Sequence, residues 1–365
     1  MDIDLENNSV GTTEVGKTVK PVRTVDIFLA ALAETEGASD LLITVGKPPQ
    51  LRIHNEIIPL DYPDLTPGDT SEFCLSLLSE ERAKLFKEGK EMDTSASLPG
   101  RGRFRINMYF QRGSMAMVVR VIAENIRSFK ELCLPDSVAK MADLHSGLVL
   151  FTGPTGTGKS TTVAAIVNYI NHNRRCHIVC IEDPIEFIHT HSQSTVDQRE
   201  VESDTNSFEE ALRRVLRQSP DVILIGEIRD RVSAQAAITL AETGHLTLAT
   251  LHTRGAVASV DRLIDMFPSE QHVQIRAQLS ASMAGVVWQQ LLPRKRGGLI
   301  LACEVMTMTS AIRALIRKGN THEIYNAMQS GKKFGMFTMD QAVADLIKRG
   351  LVDENWIRDN GFRGN

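Results

Sequence analysis

The sequence predicts a two-domain α/β protein: a small N-terminal α+β domain, then a parallel-sheet domain ending in a helical region. Three observations carry this prediction. The stretch Gly153-Pro154-Thr155-Gly156-Thr157-Gly158-Lys159-Ser160 fits G-x-x-x-x-G-K-[ST], a phosphate-binding loop. It stands between the apolar run 148–151 and a segment in which Val163, Ile166, Val167 and Ile170 recur at helical spacing, so strand, turn and helix follow one another. Beyond it, short apolar runs alternate with helical segments, the pattern of a parallel sheet.

The phosphate loop dictates chemistry as well as fold. Its glycines let backbone N–H groups close around phosphate oxygens, and the helix N-terminus adds a favourable field. Lys159 is placed for the β- and γ-phosphates and the Ser160 hydroxyl for Mg²⁺. Composition bounds the rest. A chain of 365 residues with 42% hydrophobic and 24% charged residues suits two globular domains. A net charge of -4 supplies no basic field for nucleic acid. No apolar run approaches the ~20 residues of a membrane span, so direct membrane insertion is not expected. The N-terminus has no signal-peptide pattern. Five scattered cysteines suit a reducing cytoplasm, and Cys176 and Cys180 read as buried thiols.

In chain order, residues 1–23 are polar and read as a disordered tail. The N-terminal domain is expected over 24–126. Residues 25–36 have helical periodicity, with Gly37 as the stop. Strands are expected at 41–45 and 51–53, and at 57–60 after an Asn-Glu turn. Residues 70–87 read as one amphipathic helix with Phe73, Leu77, Leu78 and Leu85 on its apolar side. Phe104, Ile106, Met108 and Phe110 alternate with polar residues, so 103–110 is a strand that returns through 111–113 as the strand 115–122. The linker and helix occupy 127–145. The phosphate-loop domain is expected over 146–310, with core strands at 177–182, 221–227 and 246–251, a helix opened by a Ser207…Glu210 capping box, and a helix over 233–242. The region 311–365 is expected to be helical, as at 311–317 and 339–349. Alternating strands and helices around a phosphate loop make the central domain RecA-like.

Phosphoryl chemistry also needs a Mg²⁺ ligand, a group that activates water, and positive charge on the transferring group. Two acidic strand ends offer the carboxylates. Glu227 follows an apolar run, where a Walker B acid sits, although Gly226 stands in place of the usual aspartate. It either holds Mg²⁺ or polarises the attacking water. Glu182-Asp183-Pro184-Ile185-Glu186 is the second, with Asp183 also suited to a plain turn before proline. His245 and His252 bracket one strand, and read equally as hydrogen-bonded structural residues or as sensors of the γ-phosphate. Arg294-Lys295-Arg296, between Pro293 and Gly297, reads as a solvated turn. A strand arginine such as Arg105 or Arg120 is by default solvated.

The four ordered motifs 153–160, 181–187, 223–230 and 243–253 together resemble the secretion-ATPase superfamily, and most of all the type IV pilus retraction ATPases of the PilT/PilU group. The resemblance spans about residues 25–350. It implies a PAS-like N-terminal domain, a RecA-like C-terminal domain, and a cytoplasmic homohexameric ring peripheral to the inner membrane. In such a ring, ATP hydrolysis with Mg²⁺ turns the inner-membrane platform protein of the pilus, and a paralogous retraction ATPase is a further partner. By motif match, residues Gly153 to Thr161 and His252 bind nucleotide, Ser160 and Glu227 hold Mg²⁺, and Glu186 or Glu227 is the general base. The resemblance also implies that Arg105 and Arg120 reach the phosphates, replacing their solvated reading. Leu248-Ala249-Thr250 is closer to the PilU pattern and residues 335–340 to PilT, so the subtype is open between them. An accessory pilus ATPase subunit working with a partner motor and a RecA-like nucleic-acid translocase are the alternatives.

Overall fold

The computed structural model describes residues 24–54, 56–122 and 125–359. The expected tail 1–23 lies outside them, as does Asn55 of the expected Asn-Glu turn. The chain separates into two units between Val121 and Ile122.

Among the described residues, the first unit is a six-stranded sheet with three helices. Its strands are β1 (Ala38–Ile43), β2 (Gln50–Ile53), β3 (Glu56–Pro59), β4 (Glu91–Leu98), β5 (Gly102–Gln111) and β6 (Ser114–Ile122), in spatial order β3-β2-β1-β6-β5-β4. The alternation in β5 is obeyed: Phe104, Ile106 and Met108 are buried, while Arg105 and Asn107 are exposed. Helix Thr24–Glu34 packs Val25, Phe28, Leu29 and Leu32 into the core. The single helix expected over 70–87 is instead two, Pro67–Ser76 and Glu80–Gly89. Ser79 breaks it by capping the second helix, accepting a hydrogen bond from the Arg82 N–H. The break also rotates the apolar face, so Phe86 is buried and Leu85 is 54% exposed.

The second unit holds a seven-stranded sheet: β7 (Gly147–Thr152), β8 (His177–Glu182), β9 (Thr195–Glu200), β10 (Val222–Ile225), β11 (Leu246–Leu251), β12 (Met283–Pro293) and β13 (Leu299–Thr307). The order is β13-β12-β7-β11-β10-β8-β9, with every neighbouring pair parallel except β12 and β13. Alternate residues of each central strand feed two cores. Leu148, Leu150, Val179, Ile181, Ile223 and Ile225 face one; Val149, Phe151, Ile178, Cys180, Val222 and Leu224 face the other. This is why these strands read as continuous apolar runs rather than alternating ones.

The structure corrects several expectations. Between β11 and residue 311, β12 and β13 extend the sheet as a hairpin that was not expected, and Arg294-Lys295-Arg296 lies in its turn. Strands β4 and β9 are also additions to the sequence reading. The strand that His245 and His252 bracket, β11, is the central strand of the sheet. Cys180 is buried, whereas Cys176 is half-buried, its Sγ 3.2 Å from the Ser194 hydroxyl. Ser207 caps its helix by accepting from the Glu210 N–H, but the Glu210 carboxylate is held by Arg214 and Asn206.

Candidate active site

Strands β7, β8, β10 and β11 run parallel, so their C-terminal ends open on one side of the sheet, where the phosphate loop begins. Gly153, Gly156 and Gly158 have φ of +143°, +80° and +85°. Gly153 is tightly constrained, since a Cβ there would lie 2.6 Å from the Gln289 carbonyl oxygen of β12. Thr157 closes the loop by donating to the Pro154 carbonyl at 2.9 Å. Gly158 then caps helix Lys159–Asn173, which places Ser160 and Thr161 in its first turn. The cradle is buttressed from below, where Gln289 donates to the Thr162 hydroxyl at 2.7 Å.

Lys159 is 7% exposed, and its Nζ donates to the carbonyls of Gly153 and Pro154 at 2.9 Å each. Burial lowers its pKa, while the nearby carboxylates of Glu227 and Glu186 oppose that shift. Both acidic residues singled out in the sequence are therefore within the electrostatic reach of this lysine.

Glu227 follows β10 on an irregular segment fixed to its neighbours. The Gly226 N–H donates to the Ile181 carbonyl and the Ile228 N–H to the Thr250 carbonyl, tying β10 to β8 and β11. Gly226 sits where a side chain would crowd the sheet, because a Cβ would lie 3.3 Å from Cα of Glu182 and 3.2 Å from the Ile181 oxygen. That close approach explains glycine where an aspartate is usual. Glu227 Oε1 is 3.4 Å from His252 Nε2, and its Oε2 accepts from Arg229 Nε at 3.0 Å. Arg229 also donates to Asp183 Oδ2 at 2.9 Å, so it bridges the two acidic segments. The hydrogen bond it donates to Glu227 raises the pKa of the guanidinium, keeping it charged. Arg229 escaped the sequence reading as a site residue, although its spacing one residue beyond Ile228 in an acidic motif was the available signal.

Glu186 is exposed at the β8–β9 connection, on the same side of the sheet. Residues Lys159, Glu186, Glu227 and His252 are thus brought together. His245 is not: it precedes β11 at the opposite end, its Nδ1 within 3.0 Å of the Thr243 hydroxyl and 3.2 Å of the Leu240 carbonyl. Arg105 and Arg120 belong to the first unit. Arg105 is exposed on β5, opposite Ser95. Arg120 clasps Asp40, with NH2 at 2.7 Å and Nε at 2.8 Å from Oδ1 of a residue that is 4% exposed.

The arrangement suits a nucleotide. The positive-φ glycines form a concave run of backbone amides, a geometry that takes phosphate oxygens. The hydroxyl of Ser160 and the carboxylate of Glu227 are hard oxygen donors, the class that Mg²⁺ accepts. Among the described residues no group of three or more His, Cys, Asp or Glu forms a metal cage. A hard cation that keeps water and phosphate oxygens in its shell fits such a site better than a structural metal.

Comparison with known proteins agrees with this geometry. Residues 102–334 match the family model described as type II/IV secretion system protein. The chain is 40% identical over 331 residues to the type IV pilus retraction ATPase PilT of Pseudomonas aeruginosa, spanning 91% of this chain and 96% of that one. It is 43% identical over 325 residues to the type IV pilus ATPase PilU of the same organism, spanning 89% and 85%. A crystal structure of the pilus retraction motor PilT with bound ADP superposes with a TM-score of 0.83 at 43% identity, covering 91% of this chain and 94% of the other. The Legionella pneumophila ATPase DotB gives a TM-score of 0.80 at 25% identity, covering 93% and 96%. Matched along nearly its whole length by these relatives, the chain belongs to the type II/IV secretion system protein family, among its PilT/PilU pilus retraction ATPases.

Proposed function

We propose that this chain is the Mg²⁺-dependent motor ATPase of type IV pilus retraction, working as a homohexameric ring at the cytoplasmic face of the inner membrane. The observation that carries the reading is the convergence of Lys159, Glu186, Glu227 and His252 beside the glycine cradle of a RecA-like sheet. The glycine cradle and Lys159 bind the β- and γ-phosphates of ATP. Ser160 and Glu227 would hold Mg²⁺, which would supply positive charge against the charge developing on the phosphates. Glu186 takes the proton of the attacking water on its carboxylate. His252, through its contact with Glu227, reports whether the γ-phosphate is present. Arg105 and Arg120 supply further positive charge to the transferring group. The inner-membrane platform protein of the pilus receives the motion, and a paralogous retraction ATPase shares the work.

The experiment is replacement of Lys159 by Ala in the chromosome, with the purified variant assayed in parallel. The expected result is loss of at least about a hundredfold in ATPase rate, in line with removing a charge that acts in the transition state. Cells should be piliated, with excess pili and no twitching. Normal turnover by the variant would remove the motor reading, and absent pili would point to assembly instead. Full hydrolysis by the isolated wild-type chain excludes a subunit that is active only beside a partner motor.

A further inference from the structure

Strand β9 is polar (Thr-Val-Asp-Gln-Arg-Glu) and edges the sheet, yet Glu200 is 4% exposed and Gln198 is half-buried. An edge strand with buried polar side chains needs a reason, because each such group costs free energy unless it is hydrogen-bonded. The reason lies in the connection from β8. Residues 183–189 lie outside β8 and β9, so many of their backbone groups require partners from elsewhere. Side chains of the two strands supply them. Glu200 Oε2 accepts from the Ile185 N–H at 3.2 Å. The Glu182 carboxylate accepts from the Glu186 N–H. Gln198 Nε2 donates to the Phe187 carbonyl at 2.7 Å and to Glu182 Oε1 at 3.0 Å, while its Oε1 accepts from the His189 N–H at 2.8 Å. Backbone groups on both sides of Glu186, and its own amide, are thereby held.

We propose that Gln198 and Glu200 are positioning residues for the ATPase reaction, forming a clamp that fixes the segment carrying Glu186 in place. The proposal rests on the reading of Glu186 as the general base. Parallel pairing sets the clamp's height, since Cys180 pairs with Gln198 and Glu182 with Glu200. Both clamp side chains therefore stand level with the end of β8, where the segment starts. Gln198 is fitted to its task by carrying both a donor and an acceptor on one planar group. A glutamate of the same size would turn two donations into oxygen–oxygen contacts, one of them with the Glu182 carboxylate.

The test uses the full-length chain and four variants, with Glu186→Gln as the reference. Gln198→Ala and Gln198→Glu should each lower kcat by about ten- to hundredfold, the scale expected when a reacting group is misplaced by about 1 Å. KM for ATP and the affinity for a fluorescent ADP analogue should change by less than about threefold, because the phosphate loop does not touch the clamp. Glu200→Ala should behave likewise, while Glu200→Gln, which keeps an acceptor for the Ile185 amide, should recover most of the rate. Hydrogen exchange of peptides spanning 184–190 should quicken in the three impaired variants and not in Glu200→Gln. Adding Gln198→Ala to Glu186→Gln should lower the rate no further. Wild-type kcat in both Gln198→Ala and Gln198→Glu, with Glu186→Gln inactive, would overturn the clamp alone. An active Glu186→Gln would overturn the reading of the base on which it rests. Gln198→Glu preserves side-chain volume, so the comparison survives if the alanine variant does not fold.

Discussion

At the residue scale, the most informative side chain beneath the site is Glu182. Burial pushes its carboxyl up to about 7, the charges of Glu186 and Glu200 push in the same direction, and the hydrogen bond from Gln198 opposes them. The unfolded chain releases this proton near 4.5, the ordinary value for a glutamate, whereas the folded chain keeps it to about 7. The folded state therefore binds more protons between those values, and the group's contribution to stability falls as pH rises through that window. Above it the deficit is constant, on the order of 3 kcal/mol. Glu182→Gln keeps an oxygen acceptor for Gln198 and for the Glu186 amide but cannot ionise. Denaturant midpoints at pH 5, 6, 7 and 8 should show the wild type losing stability relative to the variant until about pH 7. Parallel curves would show that the carboxyl does not carry a proton into the fold. None of this was legible in the sequence, where Glu182 is merely the first acid of an acidic strand end. Its environment comes from Gln198 and Glu200, which are distant in the chain and adjacent only through parallel pairing.

At the scale of elements, the four central strands of the second sheet announced themselves, while β4, β9, β12 and β13 did not, each for its own reason. β7, β8, β10 and β11 are continuous apolar runs because both faces are covered. β9 is polar because it holds a loop, and β4, with Thr, Ser and Asp along it, is an edge strand. β12 follows helix His272–Ser282 with no intervening glycine or proline, so the usual punctuation is missing. β13 carries Glu304, an acid inside a buried strand, against every compositional cue. That acid joins two helices. Its Oε1 accepts from the Ala256 N–H at 2.7 Å and its Oε2 from the Met339 N–H at 3.2 Å, the first residues of helices Ala256–Asp265 and Met339–Lys348. One carboxylate thus caps two helix N-termini, where negative charge is favoured. Glu304→Ala leaves two buried amides without that acceptor and should cost about 2–4 kcal/mol, read from denaturant midpoints. Glu304→Gln should cost about half as much, because its amide keeps one acceptor oxygen. Equal stabilities for the three proteins would show that water replaces the carboxylate at both helix ends.

At the scale of the whole molecule, the candidate residues are distributed over two units of the chain: Lys159, Glu186, Glu227 and His252 in one, Arg105 and Arg120 in the other. Strand, turn and helix alone point to Lys159 and Glu227 in the first group, whereas Glu186 and His252 take their roles from the family resemblance. The arginines rest on family resemblance, and the two are not equivalent as tests of it. Asp40 is buried and has Arg120 at 2.7 Å, with Arg52 at 3.6 Å as its second cation. Removing Arg120 therefore costs fold stability, by about 1–3 kcal/mol for a carboxylate left short of partners, whatever it does for catalysis. Arg105 stands exposed on β5, so Arg105→Ala should leave the thermal midpoint within about 1 °C, as for an ordinary surface change. If its charge serves the transferring phosphoryl group, the same variant loses about ten- to a thousandfold in kcat. Mixing it with Lys159→Ala chains then distinguishes the routes by which that charge arrives. In a ring where one subunit's arginine serves its neighbour's nucleotide, a Lys159→Ala chain supplies the missing guanidinium to an Arg105→Ala chain that retains its phosphate loop, and mixed rings hydrolyse ATP. Where both groups act within one chain, every subunit in the mixture lacks one of them and the rate stays at that of the separate variants. A wild-type kcat for Arg105→Ala would instead return Arg105 to the solvated role that an exposed strand arginine has by default.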